Sequence, residues 1–219
     1  MKIGDIKLEA LGLMYPDEIP AYSTADTMGN YHSIMSDHSE MIARMTGSIA
    51  RCIDVIVEQR VLPVKRKDLY LVDSAGDGIK ADKSGLVYRF DLEKVSDFFD
   101  VSRVIMVCDN AYDGDHPYRM EDKVLVLIAP EDHASFTLLY HPTVNVPSVW
   151  NNEGELDGIP DELARLIPYF IKGELFREDE PGEAAEAMSW FEQRLAAVGV
   201  KRTEKQSRVS SVYNMEAMR

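Results

Sequence analysis

Hydrophobic and polar positions alternate in two distinct rhythms along this chain, and the change of rhythm sets the expected elements. From Tyr31 to Glu58, Ile34, His38, Met41, Ile42, Met45, Ile49, Ile53, Ile56 and Val57 recur at steps of three and four and predict one amphipathic helix. Ser33 or Ser36 is its candidate cap, and Pro63 forces its end. Between residues 68 and 150 the pattern shortens. LYLV, LVYRF, RVIMVC, KVLVLIA and SFTLLYH are brief β-rich runs separated by Asp/Gly/Pro clusters, which predict short antiparallel strands in a sandwich or small barrel. DLEKVSDFFDVS spaces Leu92, Val95, Phe98 and Phe99 like one or two helical turns packed on that sheet.

After the hydrophilic stretch 151–158 the helical rhythm returns. Leu163, Leu166, Ile167, Phe170, Ile171 and Leu175 form one stripe, with Pro168 expected to kink the helix or reset its start. The acidic turn REDEP follows, with Asp179 as candidate cap. A second stripe then runs through Ala184, Ala187, Met188, Phe191, Leu195 and Val198, with Gly199 as its expected end. The glycines and prolines of residues 1–30 predict an irregular arm whose apolar side chains need a surface to cover.

The expected fold class is therefore α+β: an antiparallel helical bundle with an inserted antiparallel β-sandwich-like subdomain. The expected divisions are an N-terminal arm (1–30), the first part of the bundle (31–66), the β subdomain (67–150), the closing helices (151–199) and an extended C-terminal tail (200–219).

Composition narrows the function. With 219 residues and 45% hydrophobic content, the chain can form one sizeable core or a core plus a subdomain. A formal net charge of −14 argues against nonspecific binding to DNA or anionic membranes as the main task. No apolar run approaches a membrane span and no signal peptide is visible, so the expectation is a soluble chain made in the cytoplasm. Cys52 and Cys108 both lie in apolar segments and read as buried free thiols.

Candidate chemistry is sparse. In the loop 109–122, Asp109, Asp113, Asp115 and His116 could ligate a metal, but the spacing is not that of an EF-hand, and a hairpin with an acidic tip is the expectation. DSAGDG at 73–78 reads the same way. His32, His38, His116, His133 and His141 show no paired-ligand spacing, His38 reading as a core residue and His141 as structural. No phosphate loop, dinucleotide fingerprint or nucleophile elbow is present. No enzymatic activity, cofactor or metal is expected. The 200–219 segment is basic within an acidic chain and interleaves apolar residues, so Lys201, Arg202, Lys205, Arg208 and Tyr213 are its candidate partner-binding residues.

The order of these segments resembles a known family. YHSIM leads into SIARCIDVI, a β-rich region holds YRFDLEKVSDFFDV and TLLYHPTVNVP, and the chain closes with IPYFIKGELFREDEPGEAAEAMSWFEQRL. This is similar to the head–tail adaptors (connectors) of long-tailed phages and prophages over about residues 31–198. The matching closing residues are Ile167, Pro168, Tyr169, Ile171, Leu175, Phe176, Asp179, Phe191 and Glu192. The resemblance implies a virion protein at the head–tail interface, assembled in the host cytoplasm into a homo-oligomeric, dodecameric ring. Its partners would be the portal protein and a tail-side stopper or tail terminator. Packaged DNA would pass without specific binding, with no cofactor and no membrane. The alternative is a non-viral β-domain module recognising carbohydrate or protein through Tyr88, Tyr112, Tyr118, Tyr140 and Trp150.

Overall fold

The computed structural model describes residues 1–17, 19, 36–71, 78–108, 111–128, 135–144 and 152–216; the side chains of 107–108, 111–113, 135 and 200–216 are outside that description. The chain divides into two compact units, Met1–Val61 with Val144–Arg219, and Leu62–Thr143.

The first unit is helical and begins with a helix where an arm was expected. Helix α1 (Ile3–Met14) buries Ile3, Ile6, Leu8, Ala10, Leu11 and Met14. Gly4 and Gly12 suggested an irregular segment, because glycine in a helix costs roughly 0.5–1 kcal/mol relative to alanine. Each fully buried large apolar side chain contributes about 1.5–3 kcal/mol, so the stripe outweighs the two glycines. The first amides of α1 are also occupied: Ile3 N donates to Gly154 O at 2.9 Å and Gly4 N to Asn152 O at 2.8 Å. The expected arm's residues 20–35 lie outside the described residues, as does the candidate cap Ser33.

Helix α2 (Ser39–Glu58) buries Ile42, Met45, Ile49, Cys52, Ile53, Ile56 and Val57. His38 is its N-cap residue, half-buried rather than in the core, and its ring stacks on Tyr15 with centroids 5.1 Å apart. The helix ends before Pro63, with Arg60 in the left-handed region at φ 54°.

Two short helices follow the β unit, α3 (Asp161–Ala164) and α4 (Ile167–Leu175). Pro168 sits in the first turn of α4, so it resets the helix start, where a proline lacks no needed amide. Helices α1, α2 and the long α5 (Pro181–Glu216) all pack against α4. Gly173 permits the close approach of α5: a Cβ there would stand 3.3 Å from the Ala184 carbonyl oxygen and 3.0 Å from Met188 Cε. Lys172 ties three helices together. Its Nζ donates to Leu13 O at the end of α1 (2.8 Å) and meets Glu183 in the first turn of α5 (2.6 Å).

Helix α5 does not end at Gly199; it continues to Glu216. Glycine there suggested a helix terminus, yet its position is helical, and residues expected as an extended tail have helical backbone.

The second unit holds strands β1 (Lys65–Tyr70), β2 (Ile79–Ser84), β3 (Val87–Asp91), β4 (Phe98–Cys108), β5 (Ala111–Asp115), β6 (Tyr118–Glu121), β7 (Val124–Ile128) and β8 (Ser135–Pro142). They make one eight-stranded sheet in the order β5-β4-β8-β1-β2-β3-β7-β6. This overturns the expected antiparallel helical bundle with an inserted sandwich. There is one sheet rather than two facing ones, and it is mixed, because β1 and β2 pair in parallel through Leu69↔Ile79 and Tyr70↔Lys80. Gly78 makes that pairing sterically possible: a Cβ there would lie 2.1 Å from the Tyr70 ring and 2.6 Å from Asp68 O.

The sheet curls strongly into a half-barrel, and its connectivity explains why. The edge strands β5 and β6 are separated in sequence only by His116 and Pro117. In a flat sheet, seven inter-strand steps would set them roughly 34 Å apart. Three Cα–Cα steps span at most about 11 Å. The concave side holds Leu69, Tyr88, Phe90, Leu125, Leu127, Phe136, Leu138 and Tyr140, all buried. The expected helical turns in 91–102 reduce to a 3-10 turn at Leu92–Lys94, and Phe98 and Phe99 belong to β4.

Candidate functional site

Among the described residues of the helical unit, an open groove of about 690 Å³ is lined by Val55, Gln59, Val61, Phe191, Leu195 and Gly199, among others. The pattern of α5 builds one wall. Ala184, Ala187, Phe191, Leu195 and Val198 recur at steps of three and four and are buried, while Glu192 and Ala196 are exposed and also line the groove. The other wall is the end of α2, where Val55 and Gln59 lie one turn apart. Its polar groups are Gln59 and Glu192, and exposed Glu58 adjoins Gln59 in sequence. The lining is otherwise apolar, which suits an apolar or amphipathic occupant better than a small polar substrate.

Also on α4 and α5, Tyr169 stacks on Trp190 with ring centroids 3.8 Å apart, and the Arg194 guanidinium lies 5.2 Å from the Trp190 centroid. This resembles the Trp/Tyr/Arg composition that dominates protein interfaces. Arg51 on α2 grips Glu174 on α4 with both ends of its fork, Nε to Oε1 at 2.8 Å and Nη2 to Oε2 at 2.7 Å. Burial pushes the Glu174 carboxyl up, but hydrogen bonds from Arg51 and Ser48 outweigh it and hold the carboxyl below its ordinary value. Lys7 is buried, with Nζ 3.0 Å from Asn152 Oδ1, and burial lowers its pKa.

In the β unit a described polar cluster centres on Asp97. Tyr140 Oη donates to Asp97 Oδ1 at 2.9 Å and Lys65 Nζ to Asp97 Oδ2 at 2.5 Å. Burial and the Asp97 carboxylate push the Tyr140 phenol up to about 12. Burial alone would raise Asp97, yet the bonds from Lys65 and Tyr140 bring it below its ordinary value. Exposed apolar side chains are Leu86, Phe99, Tyr118 and Ile128; Leu86 and Ile128 lie close in register, since Val87 pairs with Ile128.

The residues proposed from sequence divide as follows. Lys201, Arg202, Lys205, Arg208 and Tyr213 have backbone in α5, and their side chains lie outside the described part. Of the candidate metal loop, Asp109 and the Asp113 side chain lie outside it too. Asp115 faces Arg103 at 3.9 Å, and His116 Nε2 donates to Ile128 O at 3.1 Å. Among the described residues no three His, Cys, Asp or Glu side chains gather as metal ligands. Of the aromatic residues, Tyr88 and Tyr140 are buried, Tyr118 is exposed on edge strand β6, and the Tyr112 side chain and Trp150 lie outside the description. Cys52 is buried, and burial raises its thiol well above the ordinary value; Cys108's side chain is outside the description. The groove went unnoticed in the sequence because its walls come from segments more than a hundred residues apart. The one available signal was Val55 and Gln59, one turn apart at the flank of the α2 stripe.

No protein-family model matches the chain, and no curated protein matches it in sequence. No helix among the described residues is long and apolar enough to cross a membrane.

Proposed function

We propose that this chain is a structural virion protein, a head–tail adaptor that forms a ring between portal and tail, lets DNA pass without specific binding, and performs no enzymatic step. The observation that carries this reading is the reach of α5. The helix spans 36 residues, about 54 Å at 1.5 Å per residue. Its described buried stripe runs from Ala184 to Val198, and the helix continues to Glu216 through Lys201, Arg202, Lys205 and Arg208. A helix of this length that continues into a basic segment is suited to docking on another subunit.

Other features support the same reading. The acidic carboxylates Asp97 and Glu174 are each engaged by a cation and serve packing rather than chemistry. The net charge of −14 suits a conduit, since phosphate contacts would hold DNA in place. The reading rests on these residues and on the sequence resemblance, not on the expected bundle and sandwich. Co-sedimentation with the portal ring tests it. The full chain should co-migrate with the portal, and deletion of residues 200–219 should abolish co-migration while leaving a folded chain. Undiminished binding by the truncated chain would contradict it.

A further inference from the structure

We infer that Asp157 is a site of spontaneous isomerisation, where the fold leaves an aspartyl–glycyl pair free to close a succinimide ring, and that the isoaspartate formed there loosens the tether of α1. The chain holds three such pairs, Asp77–Gly78, Asp113–Gly114 and Asp157–Gly158. Glycine favours the reaction because it has no Cβ to hinder the approach of its amide to the preceding side chain and because its backbone is permissive. The Gly158 nitrogen attacks Asp157 Cγ and a C–N bond forms. The amide proton and the hydroxyl of the protonated carboxyl leave as water. A second water then reopens the ring. Attack at Cγ restores aspartate. Attack at the main-chain carbonyl carbon breaks its bond to the nitrogen, leaves the carboxylate on Cα and routes the chain through Cβ and Cγ, one carbon longer.

The structure separates the three pairs. Gly78 is closely packed: an added Cβ would lie 2.1 Å from the Tyr70 ring and 2.6 Å from Asp68 O. Gly114 lies in β5 opposite Met106, where pairing to β4 restrains the backbone. Asp157 and Gly158 are both exposed and lie in a turn. Gly158 has φ 87°, and its N–H donates to no group among the described residues. A Cβ added at Gly158 would meet nothing within 4 Å. Ring closure at this pair breaks no hydrogen bond of Gly158 and meets no packed neighbour there.

The turn stands between two buried anchors, Leu156 and Ile159. Just before it the chain holds the start of α1. Leu156 N donates to Met1 O at 3.2 Å, Ile3 N to Gly154 O at 2.9 Å and Gly4 N to Asn152 O at 2.8 Å, and Lys2 bridges Glu155. An extra main-chain carbon between Leu156 and Ile159 shifts one anchor against the other. The hydrogen bonds to residues 1–4 yield one at a time, before either buried side chain leaves its packing, because each contributes less than the burial of a large apolar side chain.

Incubation of the full chain at neutral pH and body temperature, followed by peptide mapping with electron-transfer fragmentation, tests the site. Isoaspartate should accumulate at 157 several-fold faster than at 77 or 113. In the urea-denatured chain the three rates should converge. Asp157→Glu, at an exposed turn position, should fold like wild type and abolish the signal at 157. Amide hydrogen exchange reads the consequence. Aged wild type should exchange faster than fresh wild type at Ile3, Gly4 and Leu156, and aged Asp157→Glu should not. In the folded chain, no isoaspartate at 157, or as much at 77 or 113, would overturn the site. The same ranking of rates in urea would show that sequence rather than fold sets it, and would overturn it too. Unchanged exchange at Ile3, Gly4 and Leu156 in chains that carry isoaspartate at 157 would overturn the loosening.

Discussion

His116 donates from Nε2 to the Ile128 carbonyl oxygen across 3.1 Å, joining the corner after β5 to the end of β7. The same residue donates its backbone N–H to Val104 O at 2.7 Å and sets its ring edge-to-face on Phe136, with centroids 4.8 Å apart. One residue at a two-residue link thus touches β4 through its backbone and β7 and β8 through its side chain, and so holds the curl of the sheet. His116→Ala should lower stability by roughly 1–3 kcal/mol, combining a hydrogen bond with an aromatic contact. Hydrogen exchange should rise first in residues 114–128. Unchanged protection there would show that the corner is held by the backbone alone.

Gly78 predicts a steric failure. An added Cβ would meet the Tyr70 ring at 2.1 Å and the Asp68 carbonyl oxygen at 2.6 Å. The ring can turn, but the carbonyl is backbone within β1. Gly78→Ala should destabilise the chain by about 1–3 kcal/mol. Adding Tyr70→Ala should recover only part of that, which paired chemical denaturation would measure.

Stability should fall in alkali through Tyr140. Its folded-state value of about 12 lies above the ordinary phenol value near 10, so its contribution is intact below about pH 10 and is lost between there and pH 12. Tyr140→Phe should flatten that loss and cost about 1 kcal/mol at neutral pH for the missing hydrogen bond to Asp97. A stability–pH curve followed by tryptophan fluorescence distinguishes the two proteins.

Acid should act in the opposite sense through Glu174. Its folded-state value is depressed, so the contribution is present above the ordinary carboxyl range near pH 4.3 and disappears as pH falls through the lower folded value. Arg51→Ala should remove this acid dependence. The pair is partly exposed, so the coupling in a double-mutant cycle with Glu174→Ala should be no more than about 1 kcal/mol.

The elements that were legible in the sequence carry a strong apolar signal: the stripe of α2 and the alternation of β3 bury one face, while the continuous apolar runs of β7 and β8 bury Leu125 to Leu127 and Phe136 to Leu138 in succession. The elements that were missed lack such a signal. Helix α1 is buried nearly all round and carries two glycines, so no polar face marks its period. Strands β2, β5 and β6 read IKADKS, AYDGD and YRME, too polar to stand out, because β5 and β6 are sheet edges and β2 turns exposed residues outward. Gly199 carried a false stop signal because its helical position is invisible in one sequence. The basic residues 201–208 stood out in the sequence, and their side chains lie outside the description, while the groove needed Val55 and Leu195 brought together by packing on α4.

Sedimentation velocity of the full chain, alone and mixed with a phage portal ring, tests the proposed adaptor role most directly. The adaptor reading predicts a complex of discrete size in which the chain co-migrates with the portal. A chain that remains monomeric and separate from the portal at every concentration would contradict it.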